Sequence, residues 1–212
     1  MISRENRFIF VHIYKTAGTS IKSLLRPFAD GLQPWQRTVN QGSKKIIGKR
    51  IFQFAPQPLP SHAKAIEYQA LLGNSFQNFF SFSFVRNPFD WQVSLYEYAR
   101  QTPNHHQHEM HINMTFEEYI EWRCNENYSL QKEFTHDATG NKLIDFIGYV
   151  ENIDDDFREI AQRLGIQKDL PRLNKSKRRP ANDYYTRKTQ ELVINTFRED
   201  FETFGYSKNL MG

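Results

Sequence analysis

Residues 8 to 20 read FIFVHIYKTAGTS. The first part, Phe8 to Ile13, is typical of a buried strand, and Thr19 to Leu25 is typical of a helix that follows it and ends before Pro27. Between them lie Lys15 and residues that are small or carry a hydroxyl group. Small residues let backbone N–H groups approach a ligand, and a helix N-terminus adds partial positive charge there. The stretch therefore predicts an anion-binding turn, with Lys15 as a point charge for phosphate or sulfate.

A second strand-to-helix unit starts at residue 79, where FFSFSFV is followed by RNP. Alternating aromatic and small residues are typical of a strand, and Pro88 suits the first position of a helix. Arg86 follows the strand directly, and Ser94 lies inside the predicted helix. An arginine fork and a hydroxyl group suit a phosphate dianion, although Arg86 could merely pair with Asp90. Ligands in α/β folds bind beyond the carboxyl ends of the strands, where both Lys15 and Arg86 are expected.

The rest of the chain continues to alternate between strands and helices. The remaining predicted elements are a short strand at 46 to 54, helices at 62 to 72 (capped by Ser61), 115 to 123, 154 to 165 and 186 to 204, and a strand at 143 to 150. This order predicts an α/β fold with three layers, α/β/α, around a mainly parallel central sheet. The chain has 212 residues, 39% of them hydrophobic, and we expect one domain over residues 1–212.

The composition limits location and partners. Cys124 is the only cysteine, so no internal disulfide can form, which favours a reducing compartment. No run of about 18 apolar residues is present, so we expect a cytoplasmic protein without an integral membrane segment, unless a leader or anchor was removed. The formal net charge of +4 suits anionic ligands, and we expect no nucleic-acid partner.

Both strand-to-helix stretches resemble motifs of sulfotransferases that use 3′-phosphoadenosine 5′-phosphosulfate (PAPS). The first resembles their 5′-phosphosulfate loop, most closely the form HIPKTAGTS of the carbohydrate branch, the heparan and chondroitin type. Residues 84 to 96, FVRNPFDWQVSLY, are similar to their 3′-phosphate motif FVRNPFDRLVSxY. Tyr14 stands where the family has proline, and Trp91 where it has arginine. In the ordinary nucleotide loop GxxxxGK[ST] the lysine follows the glycines, whereas Lys15 precedes Gly18.

The resemblance implies a fold, a reaction and a set of binding residues. It implies a P-loop-NTPase-like sulfotransferase fold and in-line transfer of a sulfuryl group from PAPS, as co-substrate, to an acceptor hydroxyl on a glycan or glycoconjugate, with no metal. The residues implied to hold the 5′-phosphosulfate are Lys15, Thr16, Ala17, Gly18, Thr19 and Ser20, and Lys15 is also implied to be catalytic. Arg86 and Ser94 are implied to bind the 3′-phosphate. Residues 170 to 179, LPRLNKSKRR, resemble the family's basic tail, in which Lys177 and Arg179 would close over the nucleotide or the acceptor.

His62 is the candidate general base for the acceptor hydroxyl. Its segment, SHAKAIE at residues 61 to 67, resembles the family's HATAxE, whose histidine is taken as the base. We expect His62 in the first turn of a helix, where the helix dipole disfavours the imidazolium and keeps the ring able to accept a proton. The alternative is a histidine that caps the helix or lies on the surface.

Two functions of other classes stay open. A small-molecule kinase would use ATP with magnesium, but Lys15 precedes the glycine and no convincing aspartate ends a second strand to hold the metal. A catalytically silent module that binds an anionic glycan is the other alternative, because the family motifs are altered at Tyr14 and Trp91.

Histidines outside these motifs have weaker assignments. Four of the seven lie between residues 105 and 111, a density that could bind a transition metal or touch the acceptor. His12, on the first predicted strand, is expected to be a satisfied core residue or to lie near the site.

Overall fold

A four-stranded sheet lies at the centre of the computed structural model, which describes residues 1–30, 38–39, 42–43, 46, 59–171 and 178–210. The strands, in their order across the sheet, are β1 (Ile2–Ser3), β2 (Phe8–Val11), β3 (Phe80–Val85) and β4 (Phe146–Tyr149). β1 is antiparallel to β2, whereas β2, β3 and β4 are parallel. The predicted α/β fold with a mainly parallel sheet is therefore confirmed. β1 was not predicted because two residues are too few to show an alternating pattern.

Helices pack on both faces of the sheet. They are α1 (Gly18–Leu25), α2 (Ala65–Leu72), α3 (Pro88–Gln101), α4 (His108–Ile112), α5 (Phe116–Asn125), α6 (Lys132–Thr135), α7 (Ile153–Arg163), α8 (Arg187–Thr196) and α9 (Arg198–Phe204). Among the residues that the structure describes, no helix is long and apolar enough to cross a membrane.

Side-chain alternation along β2 and β3 builds two separate cores. One face of the sheet carries four buried aromatic residues, which pack with α1 and α7: Phe8, Phe10, Phe82 and Phe84. The other face carries Ile9, Val11 and Val85, which join a larger core with α2, α3, α5, α8 and α9. Because β2 and β3 are parallel neighbours, α1 and α3 both begin at the same edge of the sheet. This edge is where the two predicted anion-binding turns meet.

The helix predicted to begin at His62 begins three residues later. Its N-cap is Lys64, whose backbone N–H donates to Glu67 Oε2 in the first turn at 2.7 Å. That local bond fixes the helix start at Ala65, so Ser61 is not the cap. His62 lies in the turn before the helix, and the prediction of its helical position is wrong.

The predicted C-terminal helix is two helices. α8 and α9 are separated by Phe197, whose φ of −100° and ψ of 24° are not helical. The Phe197 ring is fully buried and packs edge-on against Trp91. The helix is therefore interrupted at a packed aromatic residue, and no glycine or proline in the sequence marks the interruption. The strand predicted at 46 to 54 lies, beyond Ile46, outside the described residues, and Ile46 itself is helical.

Candidate functional site

A cleft of about 920 Å³ lies beyond the carboxyl ends of β2 and β3. Its walls come from the turn after β2, the start of α1, the turn at His62, the α3 face with Ser94 and Tyr98, and the chain at Arg178. Sequence elements far apart in the chain thus share one cavity. Both predicted anion-binding turns open into it.

The turn after β2 has an unusual backbone that depends on one glycine. Lys15 and Ala17 both have φ of 62°, in the left-handed region, and Ala17 is the N-cap of α1. Such residues cost about 1 to 3 kcal/mol each and are typical of sites that bind ligands. A Cβ on Gly18 would lie 1.7 Å from His12 Nε2, so only glycine fits between the ring and the turn.

The predicted turn residues divide into two groups. Lys15, Ala17, Gly18, Thr19 and Ser20 line the cleft. Thr16 does not: it is fully buried, and its Oγ1 donates to the Ile13 carbonyl at 2.8 Å. Its hydroxyl group therefore closes the turn from behind.

Lys15 offers its ammonium group to the cleft without a carboxylate partner in the part of the chain that the structure describes. Its Nζ lies 3.6 Å from the centre of the Tyr98 ring, a cation–π contact. Burial, with smaller effects of Arg86 and Arg178, lowers the pKa of Lys15 to about 8. A bound anion would favour the charged form.

Arg86 pairs with Asp90, as the alternative interpretation of the sequence allowed, but the pair is part of a larger group. Arg86 Nε donates to Asp90 Oδ2 at 2.6 Å, and Nη1 donates to the Lys15 carbonyl at 3.1 Å. Arg178 Nη2 lies 2.5 Å from the other Asp90 oxygen. One carboxylate thus orients two guanidinium groups, and the group keeps a net positive charge.

Of the remaining candidates for donor binding, Ser94 and Arg179 line the cleft, but they differ in burial. Ser94 is buried in the cleft wall on α3, about one turn along from Asp90. Arg179 also lines the cleft but is exposed, and its guanidinium carbon lies 4.9 Å from the centre of the Tyr184 ring. Lys177 lies outside the described residues. Two further cleft residues were not predicted: Tyr98 lies outside the motifs, and Arg178 lies in the basic stretch at 170 to 179, where only its neighbours Lys177 and Arg179 were selected.

His62 is oriented by the strand beside it. Its Nδ1 lies 2.9 Å from the His12 carbonyl oxygen, so Nδ1 carries the proton and Nε2 is left to accept one. Burial and the charge of Lys22 lower the pKa of His62, against the bond to His12. Lys22 Nζ also donates to Ser61 Oγ at 2.7 Å, which ties this turn to α1. His62 is exposed in its turn, and partial desolvation of the ring together with the nearby Lys22, rather than a helix dipole, lowers its pKa and so favours the neutral form.

His12 forms the wall between His62 and the Lys15 turn. The rings of His12 and His62 are 4.4 Å apart. Burial lowers the pKa of His12 to about 3, and its Nδ1 is buried with no hydrogen-bond partner in the described residues. His12 is therefore a neutral residue that lies near the site, as the second of the two expectations had it.

Two histidines of the histidine-rich segment form hydrogen bonds with backbone carbonyl groups. His108 Nδ1 lies 2.8 Å from the Ala99 carbonyl, and His111 Nδ1 lies 2.9 Å from that of Gln107. Over the ranges that the structure describes, no three His, Cys, Asp or Glu side chains group so as to hold a metal ion.

Comparison with known proteins decides the family. The sequence model of the Sulfotransferase family matches residues 1–207. The chain belongs to the Sulfotransferase family. An uncharacterized protein of Archaeoglobus fulgidus is similar to this sulfotransferase, with 27% identity over 96 residues, which are 45% of this chain and 75% of that protein.

A solved structure is similar over nearly the whole chain. The crystal structure of mouse sulfotransferase SULT7A1 complexed with PAP gives a TM-score of 0.54, with 18% sequence identity. The match covers 97% of this sulfotransferase and 90% of the mouse chain. At this identity the likeness concerns the fold, and it confirms the sulfotransferase fold implied by the two motifs.

Tyr14 and Trp91, two of the residues that depart from the family motifs, contact each other in this sulfotransferase. The Tyr14 and Trp91 rings stack with centres 5.1 Å apart, and the indole N–H donates to the Tyr14 carbonyl at 2.8 Å. The Tyr14 hydroxyl accepts from Arg123 Nη2 at 3.1 Å and hydrogen-bonds Ser129. Trp91 is fully buried, so the pair forms a packed support directly before the Lys15 turn.

Tyr14 and Trp91 are expected to be energetically coupled. Trp91→Leu should lower the free energy of unfolding by about 3 kcal/mol, because a buried indole is replaced by a cavity. Tyr14→Leu should cost less, and the double variant should reveal a coupling of about 1 kcal/mol, typical of an aromatic pair. Guanidinium chloride unfolding of the native chain and the three variants measures this cycle. As a control, Tyr14→Leu and Trp122→Leu should be additive, since Trp122 packs against His111 and Tyr119; additivity of the Tyr14 and Trp91 variants would contradict the coupling.

Proposed function

We propose that this sulfotransferase transfers a sulfuryl group from PAPS to an acceptor hydroxyl on a carbohydrate, with His62 as general base. One observation carries the proposal: the two anion-binding turns form a single site. The Arg86 guanidinium donates to the Lys15 carbonyl at 3.1 Å, so the group after β3 touches the group after β2. Two differently built cationic groups in one cleft suit a ligand with two separate anionic groups.

The residues present fit PAPS as the donor. The Lys15 turn, with the small residues Ala17 and Gly18, would hold the 5′-phosphosulfate, because it offers backbone N–H groups, an ammonium group and the N-terminus of α1. Arg86 and Ser94 would hold the 3′-phosphate, which distinguishes PAPS from ATP. Gly18 supports this assignment, because a Cβ there would overlap the His12 ring and the turn could not keep this shape.

The proposed chemistry assigns a separate task to each cationic or basic group. PAPS supplies the activated sulfuryl group. Lys15 would neutralise the negative charge that develops on the phosphate oxygen as its bond to sulfur breaks. Arg86 would hold the nucleotide in position through its 3′-phosphate. Adenosine 3′,5′-bisphosphate would be the leaving group and is released as the by-product.

His62 would take the proton of the acceptor hydroxyl as the acceptor oxygen forms its bond to sulfur. The tautomer supports this role, because Nδ1–H faces the His12 carbonyl and Nε2 is the free acceptor. Its lowered pKa keeps the ring neutral near pH 7.

The carbohydrate acceptor rests on the resemblance to the carbohydrate branch. The chemistry of the cleft suits it, because exposed Tyr98 lies beside the polar side chains of Gln101 and Thr102, and sugars bind to aromatic and hydrogen-bonding groups together. A single domain over residues 1–212, a cytoplasmic location, the absence of a metal requirement and the absence of a nucleic-acid partner stay predictions.

The first test is a calorimetric titration with the expected by-product. The native chain should bind adenosine 3′,5′-bisphosphate at least about tenfold more tightly than ATP with magnesium, since one extra charged contact contributes about 1.4 kcal/mol. Incubation with ³⁵S-labelled PAPS and a panel of glycans then tests transfer. Preference for ATP would favour a kinase, and the absence of nucleotide binding would favour a silent glycan-binding module.

A further inference from the structure

The backbone of Arg86 is held by a side chain rather than by the sheet. β3 ends at Val85, which pairs with Tyr149 of β4. The Arg86 N–H donates to Gln131 Oε1 at 2.9 Å, and Gln131 Nε2 donates back to the Arg86 carbonyl at 2.8 Å. One carboxamide thus satisfies both backbone groups of one residue, as a neighbouring strand would.

Gln131 is itself fixed by a buried carboxylate. Its backbone N–H donates to Asp200 Oδ2 at 2.9 Å, and that of Lys132 donates to Asp200 Oδ1 at 2.9 Å. Gln131 and Asp200 are both fully buried, and neither lines the cleft. They therefore form a second layer behind the wall that carries Arg86.

The two sides of Arg86 are controlled separately. Asp90 and the Lys15 carbonyl hold its guanidinium from the cleft side, whereas Gln131 holds its backbone from the core side. A guanidinium fork binds a phosphate well only when its direction is correct, so the position of the Arg86 backbone matters for affinity. Without the carboxamide, two partly buried backbone groups would lack these partners, and the segment would shift to satisfy them.

We propose that Gln131, anchored by Asp200, is a positioning residue that makes Arg86 selective for nucleotides with a 3′-phosphate. The proposal rests on the proposed function, because it requires Arg86 to bind the 3′-phosphate of the donor. Gln131 acts through the Arg86 backbone and touches no nucleotide.

The test compares two nucleotides that differ by the 3′-phosphate. Adenosine 3′,5′-bisphosphate and adenosine 5′-monophosphate are titrated calorimetrically into the native chain and into Gln131→Met, a variant of similar side-chain length without the amide. The preference for the bisphosphate should fall about tenfold, the usual cost of an unsatisfied buried group, while the affinity for the monophosphate is retained. In an Arg86→Ala background, Gln131→Met should reduce the preference no further.

Thr135→Val is the matched control, because Thr135 is a buried polar residue on α6 whose Oγ1 donates to the Lys132 carbonyl at 3.3 Å, away from Arg86. It should leave the preference unchanged. An unchanged preference in Gln131→Met, or an equal loss in Thr135→Val, would overturn the proposal. A native chain without preference for the bisphosphate would instead overturn the proposed function.

A second measurement needs no variant and covers the case in which Gln131→Met fails to fold. Amide hydrogen exchange of Arg86, Gln131 and Lys132 in the native chain should slow severalfold with saturating bisphosphate, and less with the monophosphate. Burial raises the pKa of Asp200 to about 6, so exchange is measured at about pH 7.5, where its carboxylate is ionised. Equal exchange with both nucleotides would contradict the positioning role.

Discussion

Replacing Arg86 with alanine is expected to weaken binding of adenosine 3′,5′-bisphosphate by about 2 to 4 kcal/mol, or roughly 30- to 1,000-fold in Kd. The guanidinium group is already held by Asp90 and the Lys15 carbonyl, at 2.6 and 3.1 Å. Little ordering is then needed when a phosphate binds. Arg86→Lys should recover only part of the affinity, since an ammonium group cannot form the same fork. Calorimetric titration measures the Kd of the bisphosphate for the native chain, Arg86→Ala and Arg86→Lys.

The control for this variant lies on the same helix. Arg100 is exposed on α3 and pairs with Glu97 at 3.6 Å, away from the cleft, so Arg100→Ala should change the affinity by less than about twofold. Adenosine 5′-monophosphate should bind native and Arg86→Ala proteins alike. If Arg86→Ala keeps its affinity for the bisphosphate, Arg86 does not bind the 3′-phosphate.

The parts of the fold that the sequence predicted are those set by local patterns. β2 and β3 show their alternation directly, because the aromatic and small residues of FSFSFV face opposite sides of the sheet. The start of α3 is equally local, since Pro88 occupies its first turn and Asn87 caps it through a bond to the Phe89 N–H. The edge at which Lys15 and Arg86 meet then follows from parallel pairing, which the strand-helix alternation implies.

Long-range contacts account for most of what the sequence did not predict. Gln131 contacts Arg86 across 45 residues and Asp200 across 69, and no local pattern separates such a glutamine from one on the surface. Arg178 has a weaker signal, its place in a basic run. The motif resemblance selected its two neighbours instead, and only folding shows that Arg178 reaches Asp90.

The neutral state of His62 was predicted from the wrong physical cause. Its neutral state was expected from a helix N-terminus, but α2 begins at Ala65 and the effect comes from burial and Lys22. A helix start depends on a single local bond, here between Lys64 and Glu67, and sequence patterns locate it only to within a few residues. The strand contact to His12 that sets the tautomer is again long-range, across 50 residues.

Replacing His62 with alanine is expected to lower kcat by about 100- to 10,000-fold, the usual contribution of a general base. Affinity for the bisphosphate should be unchanged, because His62 faces the acceptor in the proposed mechanism. Turnover of ³⁵S-labelled PAPS with an acceptor from the glycan screen, measured beside calorimetric binding, separates these two quantities.

The proposed roles of His62 and Lys15 predict how activity changes with pH. His62 acts when neutral, so activity in the native chain should fall as the pH drops through its pKa, which lies below the ordinary 6.5. Lys15 acts when charged, so kcat/KM should fall as the pH rises through about 8. In kcat the alkaline limb should move upward, because a bound anionic donor favours the charged lysine.

The acidic limb is the signature that separates a base from a structural histidine. It should be lost in the residual activity of His62→Ala and retained in His136→Gln, since His136 bonds Thr135 and does not line the cleft. The alkaline limb of kcat/KM should persist in both variants, because Lys15 is intact. Normal turnover in His62→Ala, or an acidic limb that survives the substitution, would remove His62 from the mechanism and leave electrostatic stabilisation by Lys15 as the main source of catalysis.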